Sequence, residues 1–205
     1  MAYWDHEKPV RRVRSLQAEG IARVSSALLD EGGLRALTLR AVALRLGVAA
    51  SSLYSRVESV DDLFDLALDG ALGEDADVAA ALTEATLPEL MLAYYRYLVR
   101  HPWACQVVAW RAPRGPNFVR LSERMIDLLV DVGAREPLTM AYVLANYAIG
   151  CATTAPMAED EALTPVDPSS APEYARLHAE HPVDPAVIFR TGMDALLSEA
   201  GVPTG

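Results

Sequence analysis

The sequence predicts an all-α protein with a small N-terminal domain and a larger helical domain. Apolar residues recur at helical spacing along almost the whole chain, and no segment shows the two-residue alternation of a half-buried strand. Residues 38–57 have the pattern of two short helices joined by a tight turn, which makes a helix-turn-helix. Hydrophobic residues are 52% of the 205, so the chain has ample material for a buried core.

Three helices are predicted before residue 60. Ser15 is a suitable N-cap for the first, which runs to about Leu29 and stops at Gly32-Gly33. Thr38 is a suitable N-cap for the second, whose apolar face repeats at three and four residues: Leu39, Val42, Ala43 and Leu46. Gly47 can take the positive φ that ends this helix. The third helix is anchored by Val48 and Leu53, and residues 49–52 between them are small enough to approach a ligand surface closely.

The remaining helices are read in the same way. A fourth begins near Val60, with Asp61 and Asp62 at the positive end of its dipole. Gly70, Gly73 and the acidic run 74–77 predict a transition between domains. Further helices are predicted over 87–100, 103–110, 117–132, 137–157 and 186–199. Residues 158–185 are rich in Pro, Asp, Glu and Ser, which predicts an extended or mobile connection with one short helical turn near 175–179.

Charge is divided unevenly along the chain. The net charge is −10, but residues 1–60 carry nine Lys and Arg against six Asp and Glu, whereas the rest carries nine against 22. A locally positive small domain on an acidic one is typical of a DNA-binding domain joined to a regulatory domain, although the acidic residues also keep the larger half soluble. No apolar run approaches the roughly 20 residues of a membrane span, and the N-terminus lacks the apolar core of a signal peptide. Cys105 and Cys151 lack any paired spacing and are interpreted as core thiols in a reducing cytoplasm.

The register of Gly47, Leu53, Tyr54 and Arg56 carries a family resemblance. Residues 21–69 resemble the DNA-binding domain of the TetR family of bacterial transcriptional regulators. Within 88–200, the segments HPWACQVVAWRAPRGPN and FRTGMDALL are similar to the ligand-binding, dimer-forming half of the tetracycline-repressor-like branch. The resemblance implies a flexible basic arm over 1–14, a helix-turn-helix domain over 15–59, a connecting helix over 60–73 and a ligand-binding and dimerisation domain over 74–205.

The resemblance also implies DNA-contact residues. Arg40 matches a position that reaches a guanine, where a guanidinium offers two parallel donors. Positions that face bases are matched by Ala50, Ser51 and Ser55. Positions that hold phosphates are matched by Thr38, Ser52, Tyr54 and Arg56. The alternatives are a solvated Arg40 and a core Tyr54.

Two departures from the family pattern bear on affinity. Members commonly carry His where this chain has Arg56, and Lys where it has Val60. The Arg56 side chain can still donate hydrogen bonds to a phosphate, whereas the Val60 side chain cannot. Arg11, Arg12 and Arg14 are either an arm that follows the minor groove or a solvated tail.

For the second half the resemblance implies a homodimer and an effector pocket. Two helices from each subunit form a four-helix bundle in the family, which implies interface positions at Ala141, Leu144, Ala148, Phe189, Met193 and Leu197. The alternative is that these six residues form intramolecular core. An apolar cavity with a few polar anchors is predicted from Tyr94, Trp103, Trp110, Asn117, Met125, Tyr142 and Asn146, although residues of these types are more often core than ligand contacts. No His lies between His101 and His178, which argues against recognition of magnesium-tetracycline.

These observations predict a cytoplasmic, ligand-responsive repressor. It binds a palindromic double-stranded DNA operator as a homodimer, and a hydrophobic small-molecule effector releases it by pivoting the fourth helix. No nucleophile, paired-carboxylate or metal-ligand pattern favours catalysis, so no enzyme activity, metal or cofactor is predicted. The alternatives are a TetR-like activator and a small-molecule-binding protein without operator binding.

Overall fold

The computed structural model describes residues 3–5, 17–181 and 183–199, and these ranges contain helices and no strand. The helices of the first 100 residues are α1 (Ala18–Gly32), α2 (Leu39–Arg45), α3 (Ala50–Leu53), α4 (Val60–Glu74), α5 (Ala76–Glu84) and α6 (Leu87–Arg100). Those that follow are α7 (Pro102–Trp110), α8 (Pro116–Asp131), α9 (Pro137–Thr154), α10 (Met157–Leu163), α11 (Pro172–Glu180) and α12 (Pro185–Glu199). The predicted all-α class is confirmed.

One compact unit comprises Met1–Ala85 and His101–Met125. Its core lies between α1 and α4, the most extensively contacting pair of helices in the unit. The apolar faces of these two helices are almost fully buried at Ile21, Leu29, Leu63 and Leu66. Gly70 allows the close approach, because a Cβ there would lie 2.7 Å from the Cβ of Ala22. The short helix α2 packs beside α1, and α3 packs on α2.

The second compact unit comprises Thr86–Arg100 and Ile126–Gly205, and is built around α6, α9 and α12. Tyr95 of α6 stacks on Phe189 of α12 with ring centroids 4.2 Å apart. Tyr147 of α9 also stacks on Phe189, and its hydroxyl donates to the Ile188 carbonyl at 2.9 Å. Gly192 makes this contact possible, because a Cβ at that position would overlap the Tyr147 hydroxyl.

Helix boundaries agree with the sequence at several points and differ at others. The helices predicted from 60, over 87–100 and over 186–199 correspond to α4, α6 and α12 within a residue. The Ser15 N-cap lies outside the described residues, and α1 begins at Ala18 with Gln17 at its N-cap. The predicted helical turn near 175–179 lies within α11, but the prediction of an otherwise extended connection over 158–185 is wrong, since α10 and the full length of α11 occupy much of it.

The acidic run at 74–77 is the start of a helix rather than a loop. Asp75 is the N-cap of α5, where its side chain accepts from the Val78 backbone amide at 3.0 Å, and Asp77 lies in the first turn. Gly70 and Gly73 lie inside α4. The two compact units divide between Ala85 and Thr86, at 100–101 and at 125–126, and not at the expected transition between 73 and 74. The functional domain boundaries stay a prediction. Within the described ranges, no helix combines the length and apolarity needed to cross a bilayer.

Candidate nucleic-acid interface

The helix-turn-helix is fixed by a cap at one end of α2 and a Schellman turn at the other. The Thr38 hydroxyl oxygen accepts from the Ala41 amide at 3.0 Å, as expected for an N-cap. At the other end Gly47 adopts φ 67°, and the Val48 amide donates back to the Ala43 carbonyl at 3.0 Å. The turn thus satisfies the last carbonyls of α2 and directs the chain into α3, whose Leu53 is fully buried.

The eight residues matched to DNA-contact positions lie on the surface of this motif. Six of them are exposed: Thr38, Arg40, Ala50, Ser51, Tyr54 and Ser55. Ser52 and Arg56 are half-buried. Tyr54 is 57% exposed, so the alternative of a core tyrosine is wrong. Thr38 and Arg40 lie at the start of α2, whereas the other six residues lie in α3 or in the turn that follows it.

Leu44 is a surface residue that the sequence reasoning missed. It is 81% exposed and follows Arg40 by one helical turn, so both lie on the same side of α2. The four-residue spacing is visible in the sequence, but an isolated leucine in a helix is usually interpreted as core. An apolar side chain at this place is able to contact a thymine methyl group or the sugar edge of a groove.

Helix α4 carries three carboxylates four residues apart: Asp61, Asp65 and Asp69. Arg111, which follows α7, binds two of them. Its Nε and one terminal nitrogen donate to the two oxygens of Asp65 at 2.8 and 2.9 Å, and its other terminal nitrogen donates to Asp61 at 2.8 Å. The hydrogen bonds to Asp65, with smaller effects of both negative charges, raise the pKa of Arg111. This bidentate pairing ties the end of α7 to α4.

Asp69 caps the start of α8 from a neighbouring helix. One oxygen accepts from the Asn117 and Phe118 backbone amides at 2.9 and 3.0 Å, and the other accepts from Asn117 Nδ2 at 3.0 Å. Burial raises the pKa of Asp69, and these hydrogen bonds oppose that shift. Gly115 is required here because a Cβ would overlap the Asp69 carboxylate. Asp69 therefore does for α8 what an N-cap side chain does within one helix.

A third polar contact joins α1 to α7. Asp30 accepts from the Trp103 indole at 2.6 Å and pairs with His101 Nδ1 at 2.7 Å. Trp103 is buried, so its placement is explained by packing and this hydrogen bond. The first helix of the helix-turn-helix domain is thus attached to the same α7 whose far end is attached to α4.

The predicted effector-pocket residues are not brought together around one described cavity. Tyr94, Trp103 and Met125 are buried, and Asn117 is held by Asp69. Trp110, Tyr142 and Asn146 are exposed. Tyr94, Tyr142 and Asn146 belong to one compact unit, and the other four residues belong to the other. That these seven residues form a pocket stays a prediction.

A pocket of about 250 Å³ lies in the second unit, between the end of α9, α10 and the start of α12. None of the seven predicted residues lines it. Its walls are mostly apolar and include one acidic residue. They are formed by Cys151, Thr154, Ala155, Met157, Ala158, Glu161, Val183, Pro185 and Ile188.

The six predicted interface residues require a correction. Ala141, Leu144, Ala148, Phe189, Met193 and Leu197 are all buried within the single chain, between 0% and 9% exposed. They are the inward faces of α9 and α12, which pack on each other, while α6 packs on both. The open faces of these helices carry other apolar side chains: Leu138, Tyr142 and Val143 on α9, and Val187 and Ile188 on α12. An interface on these helices stays a prediction, with this second set of residues in place of the first.

Comparison with known proteins gives concordant matches. Residues 82–195 match the family model of the tetracyclin repressor-like C-terminal domain. An HTH-type transcriptional regulator of Saccharopolyspora erythraea is 33% identical over 149 residues, which cover 70% of this chain and 63% of that protein. The HTH-type transcriptional repressor DrrR1 of Streptomyces coeruleorubidus is 31% identical over 160 residues, which cover 73% of this chain and 58% of that protein. The matches thus span less than two thirds of either relative's length.

A solved structure shares the fold. The Streptomyces coelicolor TetR family protein ActR, in complex with actinorhodin, superposes with a TM-score of 0.69. The superposition covers 91% of this chain and 99% of ActR at 24% sequence identity. Identity at this level supports a common arrangement of helices.

Proposed function

Because this chain belongs to the TetR family of transcriptional regulators, we propose that it is a ligand-responsive repressor. It binds a palindromic operator as a homodimer in the cytoplasm and is released by a hydrophobic small molecule. The observation that carries the proposal is the surface of α2 and α3, where the Thr38 cap and the Gly47 turn present Arg40 and Tyr54 to solvent. Repression rather than activation is supported by the relative DrrR1, which is named a transcriptional repressor.

On DNA, the residues of this surface have different roles. Arg40 is the side chain able to read a guanine, through two parallel hydrogen bonds to O6 and N7. Tyr54 and Thr38 hold phosphates, as do Ser52 and Arg56. Ala50, Ser51 and Ser55 are small and discriminate weakly, so they allow the backbone of α3 to lie close to the bases.

A homodimer is needed because one short recognition helix spans too few base pairs for useful specificity. The open faces of α9 and α12 supply an apolar surface for a second copy. Leu138 and Tyr142 of α9 are each 60% exposed, and Val187 of α12 is about half exposed. Packing two such helix pairs together is the four-helix arrangement typical of symmetric dimers in this family.

Release requires that the ligand favour one conformation over another. The carboxylates of α4 couple this helix to α7 and α8, because Asp65 binds the residue that follows α7 and Asp69 binds the start of α8. A ligand that displaces α7 or α8 displaces α4 with them, and α4 follows the recognition helix directly in the chain. ActR, which shares the fold, binds actinorhodin, a precedent for a small-molecule effector.

Operator binding is tested by footprinting and mobility shift on the DNA upstream of the gene that encodes this chain. A protected palindrome with half-sites about one helical turn apart is expected. Arg40→Ala should weaken binding by at least ten-fold and relax the sequence preference at one base pair, whereas Tyr54→Phe should weaken it about five-fold for all sequences. Arg120→Ala, which removes an exposed arginine of α8, is the matched control and should retain full affinity.

Two results would oppose the proposal. Equal affinity of Arg40→Ala and Arg120→Ala would remove the α2–α3 surface from DNA recognition. Absence of a protected palindrome, with folding verified by circular dichroism, would remove autoregulation.

Effectors are sought by thermal shift with hydrophobic drugs and metabolites, because a ligand that binds only the folded state raises the midpoint of thermal unfolding. Each compound that does so is then tested for release of the operator.

A further inference from the structure

The pocket between α9, α10 and α12 combines apolar walls with one acidic side chain. Ile188, Val183 and Met157 line it together with Cys151, and Glu161 of α10 is the acidic residue of its lining. Its volume of about 250 Å³ is just below the range of drug-sized sites, which suits a compact ligand. The pocket lies wholly within the second compact unit.

Two side chains of α11 contact one oxygen of the Glu161 carboxylate. Glu161 Oε1 accepts from the Tyr174 hydroxyl and lies 3.5 Å from His178 Nε2. These two contacts from α11 hold the carboxylate in place, and the hydrogen bond to Glu161 raises the pKa of Tyr174, which keeps the phenol protonated as a donor. Among the described residues, Oε2 of Glu161 has no hydrogen-bond partner.

We propose that this pocket binds a lipophilic primary amine, whose ammonium group pairs with Glu161 Oε2 while its apolar part contacts Ile188, Val183 and Met157. An apolar ligand without charge would gain only the burial of its surface. A carboxylic acid would face the negative charge of Glu161 at close range. The chain's net charge of −10 also favours the approach of a cation over that of an anion.

The size of the charge effect follows from exposure. The Glu161 side chain is 37% exposed, so water screens the pair and the gain from charge is modest. We expect an amine to bind about two- to five-fold more tightly than a neutral molecule of the same shape. The inference is separate from the proposed repressor function, since binding to this pocket is measured without DNA.

The test compares 2-phenylethylamine, 2-phenylethanol and phenylacetate by ligand-observed NMR titration of the full chain. The expected order of affinity is amine, alcohol, acid. Glu161→Gln should make the amine and the alcohol bind equally, while Glu123→Gln, an exposed glutamate of α8, should leave the order unchanged. Tyr174→Phe frees Oε1 and should retain or increase the preference for the amine.

A second measurement locates the ligand. Cys151 is a wall of the pocket, whereas Cys105 is 4% exposed. The amine should therefore slow the reaction of Cys151 with a thiol reagent. Ala158→Phe fills the pocket and should abolish both binding and protection, while Ala80→Phe on the exposed side of α5 should affect neither. An unchanged amine preference in Glu161→Gln, or unchanged binding in Ala158→Phe, would overturn the proposal. If the amine binds as expected but no operator is found, only the repressor function fails.

Discussion

Replacing Asp69 by alanine is expected to be the most destabilising change of a single polar side chain in the α4–α8 region. Asp69 is 3% exposed and accepts three hydrogen bonds, two from backbone amides and one from the Asn117 side chain. Alanine leaves all three donors without this acceptor, at the start of a helix where backbone amides have no partner within the helix itself.

The magnitude follows from opposing contributions. A buried donor that loses its acceptor costs about 1–3 kcal/mol, and hydrogen bonds to a charged group are worth about 1.5–3 kcal/mol each. Against this, burial raises the pKa of Asp69, which means that keeping the charge there already costs free energy, and alanine removes that cost. Asn117 is half-buried, so its amide can turn towards solvent. We therefore expect a net loss of about 2–4 kcal/mol in the free energy of unfolding, well below the sum of three bonds.

The loss is measured by chemical and thermal unfolding at one fixed protein concentration. For a chain of this length 1 kcal/mol corresponds to about 2–4 °C in Tm, so Asp69→Ala should lower Tm by roughly 4–16 °C. Asp127→Ala removes an exposed aspartate of α8 and should change the free energy by less than about 0.5 kcal/mol. A double-mutant cycle with Asn117→Ala should give a coupling of about 1 kcal/mol. If Asp69→Ala were as stable as Asp127→Ala, the cross-helix cap would have no energetic role.

Three further predictions concern the dimer, the DNA contacts and pH. Gly150 of α9 is exposed, and a Cβ there would meet nothing within 4 Å in the single chain. Since a second copy is proposed to pack on α9, Gly150→Ala should weaken dimerisation, as measured by sedimentation equilibrium. Gly20→Ala in α1 is the control and should leave dimerisation unchanged. Val60→Lys should steepen the dependence of operator affinity on salt by about one unit through one added phosphate contact, and an unchanged slope would place α4's first residue away from DNA. Burial raises the pKa of Tyr147 to about 12, so between pH 10 and 12 the unfolded chain loses this proton while the folded chain keeps it. Stability should therefore fall as pH rises through this window, and the part of the fall due to Tyr147 should be absent in Tyr147→Phe.

Features that depend on a few neighbouring residues could be predicted from the sequence. The Thr38 cap and the Gly47 turn each require a particular residue at one position, and both are found as expected. Helix α5 shows the limit of this reasoning. The acidic run 74–77 predicts a transition between domains, yet Asp75 as an N-cap with Asp77 in the first turn is also a helix-start signal. Pro172 and Glu173 at the start of α11 are a similar case.

Features that depend on distant segments could not be predicted. Helical periodicity identifies the apolar face of α9, but it does not say whether Leu144 meets α12 of the same chain or a second copy. The carboxylates of α4 are the clearest missed signal, because Asp65 and Asp69 recur at four-residue spacing in a helix whose other buried positions are almost all apolar. Buried carboxylates need partners. The sequence does not reveal that those partners lie near residues 111–118.

Helix α4 contacts both the segment that follows the recognition helix and the start of α8. At its start, Asp62 accepts from the Glu58 amide at 2.7 Å, which fixes the chain where it leaves the recognition segment. Seven residues later Asp69 holds the first turn of α8, a distance of about 10 Å along the helix axis. Because both contacts are made by carboxylates of one rigid element, a shift of the α8 start is carried to the segment that follows Tyr54 without any intervening flexible loop. Loosening Asp69 should therefore weaken the response to an effector more than it weakens the affinity for the operator.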